Sequence, residues 1–214
     1  MPNKSVNEKL TEGRQYRTVV EIRALPEELT DKKIVEGYAT TFNEPYELWR
    51  YGGYIFMEQV DAHAFDEADM SDVIMQYDHE GRVFARISNQ TLELTVDDHG
   101  LKIRADLSGT EIGRQLYEEI KGGYTNKMSF GFTVKEDSEQ YTENQETGIT
   151  TVLRTITRIG KLYDVSAVSI PANNATEISA RSWCDGVITQ LTEEHRKAEE
   201  RERKKKKIKI LSEV

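Results

Sequence analysis

The chain has 214 residues, enough for one substantial core with an appendage. Its formal net charge of −9 is unevenly spread: residues 193–209 hold nine Lys/Arg against five Asp/Glu, so the remainder is strongly acidic. An acidic body argues against nucleic acid as its ligand, and a basic tail suits an acidic partner. Cys184 is the single cysteine, which excludes an intrachain disulfide and a cysteine-based zinc site and reads as a free thiol in a reducing compartment. The polar N-terminus has no apolar core of a secretory signal, and no run approaches the roughly 18 apolar residues of a membrane span.

In chain order, residues 1–15 read as a flexible arm. Alternating, β-branched stretches then predict strands at 16–24, 33–42 and 54–60. Residues 61–69, "DAHAFDEAD", predict a short helix capped by Asp61, with Phe65 and Ala68 on one face. Further strands are expected at 72–79, 82–88, 91–96 and 101–107, the last two joined by the turn "DDHG". The firmest helix is 110–123: Ser108 or Thr110 caps it, Ile112, Leu116 and Ile120 form a stripe, and Gly122 and Gly123 stop it.

The segment 124–134, "YTNKMSFGFTV", alternates Met128, Phe130, Phe132 and Val134 against Lys127, Ser129, Gly131 and Thr133. A small Ser–Gly pair opposite so apolar a face is unusual, because β-branched or long polar residues suit an exposed strand face better. A solvent-facing Ser129 beside a glycine that lets a substrate backbone approach is one reading of it. Residues 136–148 then read as a polar loop or hairpin tip, and 149–159 and 161–170 as two strands, the second ended by Pro171. Nearly ten strands around one firm helix predict a mainly β, mostly antiparallel barrel or sandwich with peripheral helices. After Gly186 the pattern becomes a charged helix with a thin apolar edge of Val187 or Ile188 with Leu191.

A nucleophilic serine needs a base and a group that orients it. His63, His79, His99 and His195 are the available imidazoles. His79 closes an apolar strand, at the rim of a sheet; His99 lies in a turn, His63 in the short helix and His195 in the charged tail. Lys127, two positions from Ser129 on the same face, makes a Ser–Lys dyad the rival, although nothing beside it on that face is apolar enough to lower its pKa. Asp78, His79, Asp97, Asp98 and His99 lack the tight spacing of metal ligands.

Six segments occur together and in order: "EGYATTFNE" (36–44), "MEQVDAHAFDEA" (57–68), "MQYDHE" (75–80), "LTVDDHGLKIRADL" (94–107), "LYEEIKGGYTNKMSFGF" (116–132) and "LYDVSAVSIPANNATEI" (162–178). By these the chain, over about residues 16–180, resembles the prohead maturation proteases of tailed bacteriophages, the HK97-type family. The resemblance implies a serine endopeptidase with a closed antiparallel β-barrel of the herpesvirus-assemblin type, its active site on the outer surface of the barrel. It implies Ser129 as nucleophile, His79 as general base and Asp164 as the third member, where many relatives carry the longer Glu. His63 stands where the family commonly has glycine, and Ala85–Arg86 where it usually has Gly-Arg. No cofactor is implied. The implied partners are the major capsid protein, through its scaffolding segment, and the protease itself, by autocleavage and as a possible homodimer; neither nucleic acid nor membrane is expected. Action would take place in the host cytoplasm inside the procapsid, with residues 16–181 as the protease domain and 182–214 as a charged helix or tail. A non-catalytic internal scaffold protein on the same barrel is the alternative.

Overall fold

The computed structural model describes residues 14–26, 32–169, 183–193, 196–197 and 200–205. Ten strands and one helix follow in order: β1 (Arg14–Ala24), β2 (Ile34–Thr41), β3 (Tyr46–Tyr51), β4 (Tyr54–Val60), β5 (Ile74–Tyr77), β6 (Glu80–Arg86), β7 (Leu92–Val96), β8 (Gly100–Asp106), α1 (Glu111–Lys121), β9 (Lys127–Glu143) and β10 (Thr150–Val168). Helical residues 183–193 follow. The expected arm falls outside the described residues except for Arg14 and Gln15, which open β1. So do Pro171 and the rest of the "PANNATEI" segment.

The sheet is not a closed barrel. Its strands run β3-β4-β10-β9-β1-β2-β8-β7, and β5 and β6 branch from β10. Closure would require the outermost strands, β3 and β7, to bond to each other, and among the described residues they do not. Nor is the sheet wholly antiparallel, because β10 pairs in parallel with both β4 and β5. Closure is one of several ways to protect sheet edges. Here β7 is only five residues long, and β3 carries the exposed ion pair of Arg50 with Glu47.

Alternation places Met128, Phe130 and Phe132 in a buried cluster with Ile22, Val35, Leu101, Ile103, Ile156 and Val165. The α1 helix closes that cluster with Leu116, Tyr117 and Ile120. Its N-terminus is capped by Thr110 Oγ1, which accepts from Gly113 N–H at 3.0 Å, and Gly122 ends it. Farther along the same face, Cys184 and Val187 of the C-terminal helical segment pack with Phe56 and Val152, flanked by Trp183, Ile188 and Leu191.

Several local expectations change. Residues 61–69 form consecutive turns: Ala64, Asp66 and Ala68 N–H donate to the carbonyls of Asp61, His63 and Phe65, three residues back, and no helix propagates. β3 is a strand the residue pattern missed, because a bulge between Glu47 and Trp49 breaks its alternation. The polar stretch after Val134 continues β9 to Glu143, and the two strands expected at 149–159 and 161–170 are one continuous β10.

Candidate active site

Ser129 lies on β9 between β1 and β10, opposite Thr18 on one side and Ser166 on the other. One step along, Gly131 sits opposite Tyr16 and Asp164. Ser129, Gly131, Tyr16, Asp164 and Ser166 therefore share one face, while Arg17, Phe130 and Val165 point to the other. Strict alternation along β10 would put Leu162 and Asp164 on the same side. A bulge takes up Tyr163: Leu162 pairs with Phe132, and Asp164 pairs with Gly131. Leu162 joins the core, and the carboxylate swings to the side of Ser129.

His79 reaches this face from the β5–β6 hairpin. Tyr77 pairs with Glu80, leaving Asp78 and His79 as a two-residue turn with φ of 50° and 62°. Two positive φ values are the signature of a type I′ turn, where Asn-Gly or Asp-Gly is the usual sequence. His79 occupies the position glycine normally takes, at a cost of about 1–2 kcal/mol for a residue with a Cβ. β5 lies parallel to β10, with Ile74 beside Asp164 and Tyr77 beside Ala167, and this carries the turn over Ser129.

The three side chains meet. Ser129 O–H donates to His79 Nε2 at 2.6 Å, and His79 Nδ1–H donates to Asp164 Oδ1 at 2.5 Å. A carboxylate only accepts, so the imidazole proton belongs on Nδ1 and the lone pair of Nε2 faces the serine. Ser166 O–H also donates to Asp164 Oδ1, at 2.8 Å. The shorter aspartate thus reaches the imidazole at this position. Gly131 makes the room: a Cβ there would lie 2.3 Å from Asp164 Oδ2 and 2.9 Å from Tyr16 Cε1. The small residue beside Ser129 accommodates the acid, which corrects the expectation that it admits a substrate backbone.

Ser129 is not solvent-facing either. It lies opposite the Phe130 side, as alternation requires, but its exposure is 0%, and the His79 and Asp164 side chains are 4% and 1% exposed. The Tyr16 ring packs against the imidazole with centroids 4.3 Å apart. Burial raises the Tyr16 phenol above its ordinary pKa, with Arg14 opposing, so Tyr16 is a neutral wall for the imidazole. Arg14 lies over the Tyr163 ring at 3.8 Å, with Nη1 3.9 Å from Asp164 Oδ2. Asp164 Oδ2 itself has no hydrogen-bond partner among the described residues.

His195 lies outside the described residues, and the other candidates lie elsewhere. Lys127 Nζ donates to Glu21 at 2.9 Å, an exposed ion pair that satisfies the ammonium away from Ser129. His63 bonds Asp66 at the surface. His99 stacks edge-on against Tyr38 at 4.5 Å. The thiol of Cys184 is pushed up to about 12 by burial and stays protonated. Residue patterns missed Tyr16, Arg14 and Ser166. A signal for the bulge was present in "KLYDVSAV": Leu162 is out of phase with Val165 and Ala167, as an extra residue between them requires.

No helix among the described residues is long and apolar enough to cross a membrane. No curated protein and no solved structure matches the chain. A family model described as caudovirus prohead serine protease matches residues 19–186, from β1 into the C-terminal helical segment. The match spans the strands and the turn that carry Ser129, His79 and Asp164, and the chain belongs to the caudovirus prohead serine protease family.

Proposed function

We propose that Ser129, His79 and Asp164 are the nucleophile, general base and orienting acid of an endopeptidase that trims the scaffolding segment of a phage major capsid protein, and its own termini, inside the procapsid. The unbroken hydrogen-bonded chain from Ser129 Oγ through the imidazole to Asp164 carries this reading. Ser129 Oγ attacks the peptide carbonyl while His79 Nε2 takes its proton, and the imidazolium is stabilised by Asp164. His79 then returns the proton to the leaving amine, and water, activated by the same nitrogen, hydrolyses the acyl-enzyme. Ser166, through its hydrogen bond, and Arg14, beside the free oxygen, keep the carboxylate oriented. The basic segment at 193–209 offers charge complementary to an acidic scaffold segment.

The test is co-expression with the phage's capsid protein, wild type against Ser129→Ala. Shortening of the capsid protein is expected with the wild type and absent with the variant. Unchanged shortening by Ser129→Ala would remove Ser129 as nucleophile. Normal assembly without shortening in either case would favour a purely scaffolding role.

A further inference from the structure

We propose that Asp78 is a positioning residue for His79: it locks the hairpin turn that carries the base onto the end of β10. The inference rests on the assignment of His79 as base. Three hydrogen bonds make the lock. Asp78 N–H donates to Ala167 O at 2.9 Å, and the Asp78 carboxylate accepts from Ser169 N–H at 2.9 Å and from Ser169 O–H at 2.7 Å. The turn itself has an unfavourable conformation. Its two central residues both have positive φ, a conformation that any residue with a Cβ resists. A turn with that preference stays in place only when its surroundings over-determine it.

The attachment point decides what the lock controls. Asp164 and Ser169 belong to one run of backbone, the strand β10 and the residue that follows it. Fixing Asp78 to that run fixes two distances at once: imidazole to acid, and imidazole to Ser129 on the neighbouring β9. β5 has four residues and, among the described residues, pairs only with β10 and β6, so a turn released from Ser169 can pivot about it. The carboxylate of Asp78 does not touch the imidazole chain; it acts on the backbone that holds it.

The test uses the full-length chain and a fluorophosphonate probe, with phosphonylation of the protein measured by mass spectrometry and the melting temperature recorded for each variant. In the probe reaction a Ser129 Oγ–P bond forms, fluoride leaves and His79 takes the proton. Asp78→Ala is expected to slow labelling roughly 100-fold, the scale of a misplaced catalytic group. Asp78→Asn, whose amide oxygen still accepts from Ser169 N–H, should restore most of that rate. The low-field proton resonance of His79 Nδ1–H, the spectroscopic signature of the bond to Asp164, should persist in the Asn variant and vanish in the Ala variant. Should Asp78→Ala fail to fold, Asp78→Gly decides, because glycine suits the positive φ and still lacks the carboxylate: slower labelling at an unchanged melting temperature supports the lock, and unchanged labelling overturns it. Wild-type labelling by Asp78→Ala also overturns it, as does an Asn variant as slow as Ala. Ser129→Ala and His79→Ala run alongside. If both lose labelling while Asp78→Ala keeps it, only the lock is wrong; if Ser129→Ala is still labelled at the wild-type rate, the nucleophile assignment and the lock fall together.

Discussion

Two groups of buried ionisable side chains sit on opposite faces of the same strands, and they are completed differently. On the core face Glu58 is fully buried, and its oxygens accept from Arg17 Nε (2.5 Å), Arg17 Nη2 (2.9 Å), Arg154 Nη1 (3.0 Å) and Tyr46 O–H (2.6 Å). The two arginines share Gln15, and Arg154 also binds Asp137 and lies under the Trp183 ring of the C-terminal helical segment. Burial would raise the Glu58 carboxyl, but Arg17 and then Arg154 outweigh it and hold the group below its ordinary pKa. On the other face Asp164 Oδ1 is shared by His79 and Ser166, while Oδ2 has only the Arg14 guanidinium at 3.9 Å. A cluster that holds strands together saturates every lone pair. The cluster we propose for proton transfer leaves its acid less fully bonded.

Substitutions in the two clusters should separate activity from stability. The largest effect is expected from Gly131→Ala. Its Cβ would displace the Asp164 carboxylate from His79, which should lower probe labelling and peptide cleavage by roughly 10³–10⁴-fold, as expected when the orienting acid is lost. An active Gly131→Ala protein would mean that Asp164 does not orient the base. Next comes Glu58→Ala, which leaves Arg17 and Arg154 buried without their shared anion. Breaking such a pair costs about 3–5 kcal/mol, readable in urea unfolding, while the folded fraction should still label at Ser129. Stability equal to wild type would show the cluster to be dispensable.

The smallest effect is on acid stability. The folded Glu58 pKa lies below the ordinary value of 4.5, so its contribution is complete above 4.5 and lost as pH falls through the lowered folded value. Unfolding free energies measured downward from pH 6 should therefore decline more steeply in the wild type than in Glu58→Gln. Parallel declines would assign the acid sensitivity to other carboxylates.

Much of the site was legible because its chemistry is local. "MQYDHE", "MSFGF" and "YDVSAV", named through the family resemblance, each hold one of the three side chains that meet, and the alternation around Phe130 and Phe132 correctly put Ser129 on the opposite face. What alternation cannot report is which strand edges meet. It gives the faces of β3, β7 and β10 no information about their neighbours, so an open sheet with two parallel pairings of β10 read as a closed antiparallel barrel. The role of Gly131 was hidden for the same reason, since it depends on the side chain of Asp164 from another strand. The Arg17–Glu58–Arg154 cluster was invisible because its members come from three strands and share no motif. Residues 61–69 misled through composition: Asp61 does accept from the His63 N–H, but this closes a turn and does not start a helix.

The 19-residue strand β10 has a consequence for biosynthesis. It supplies Asp164 and the Ala167 carbonyl that accepts from Asp78 N–H, and it is the last strand in the described chain. A ribosome-bound chain that has exposed everything through β9 holds its serine and histidine without the strand that aligns them. Those pairings join residues far apart in sequence, which makes them slow to form. Translation order thus withholds the proposed triad until β10 has left the ribosome.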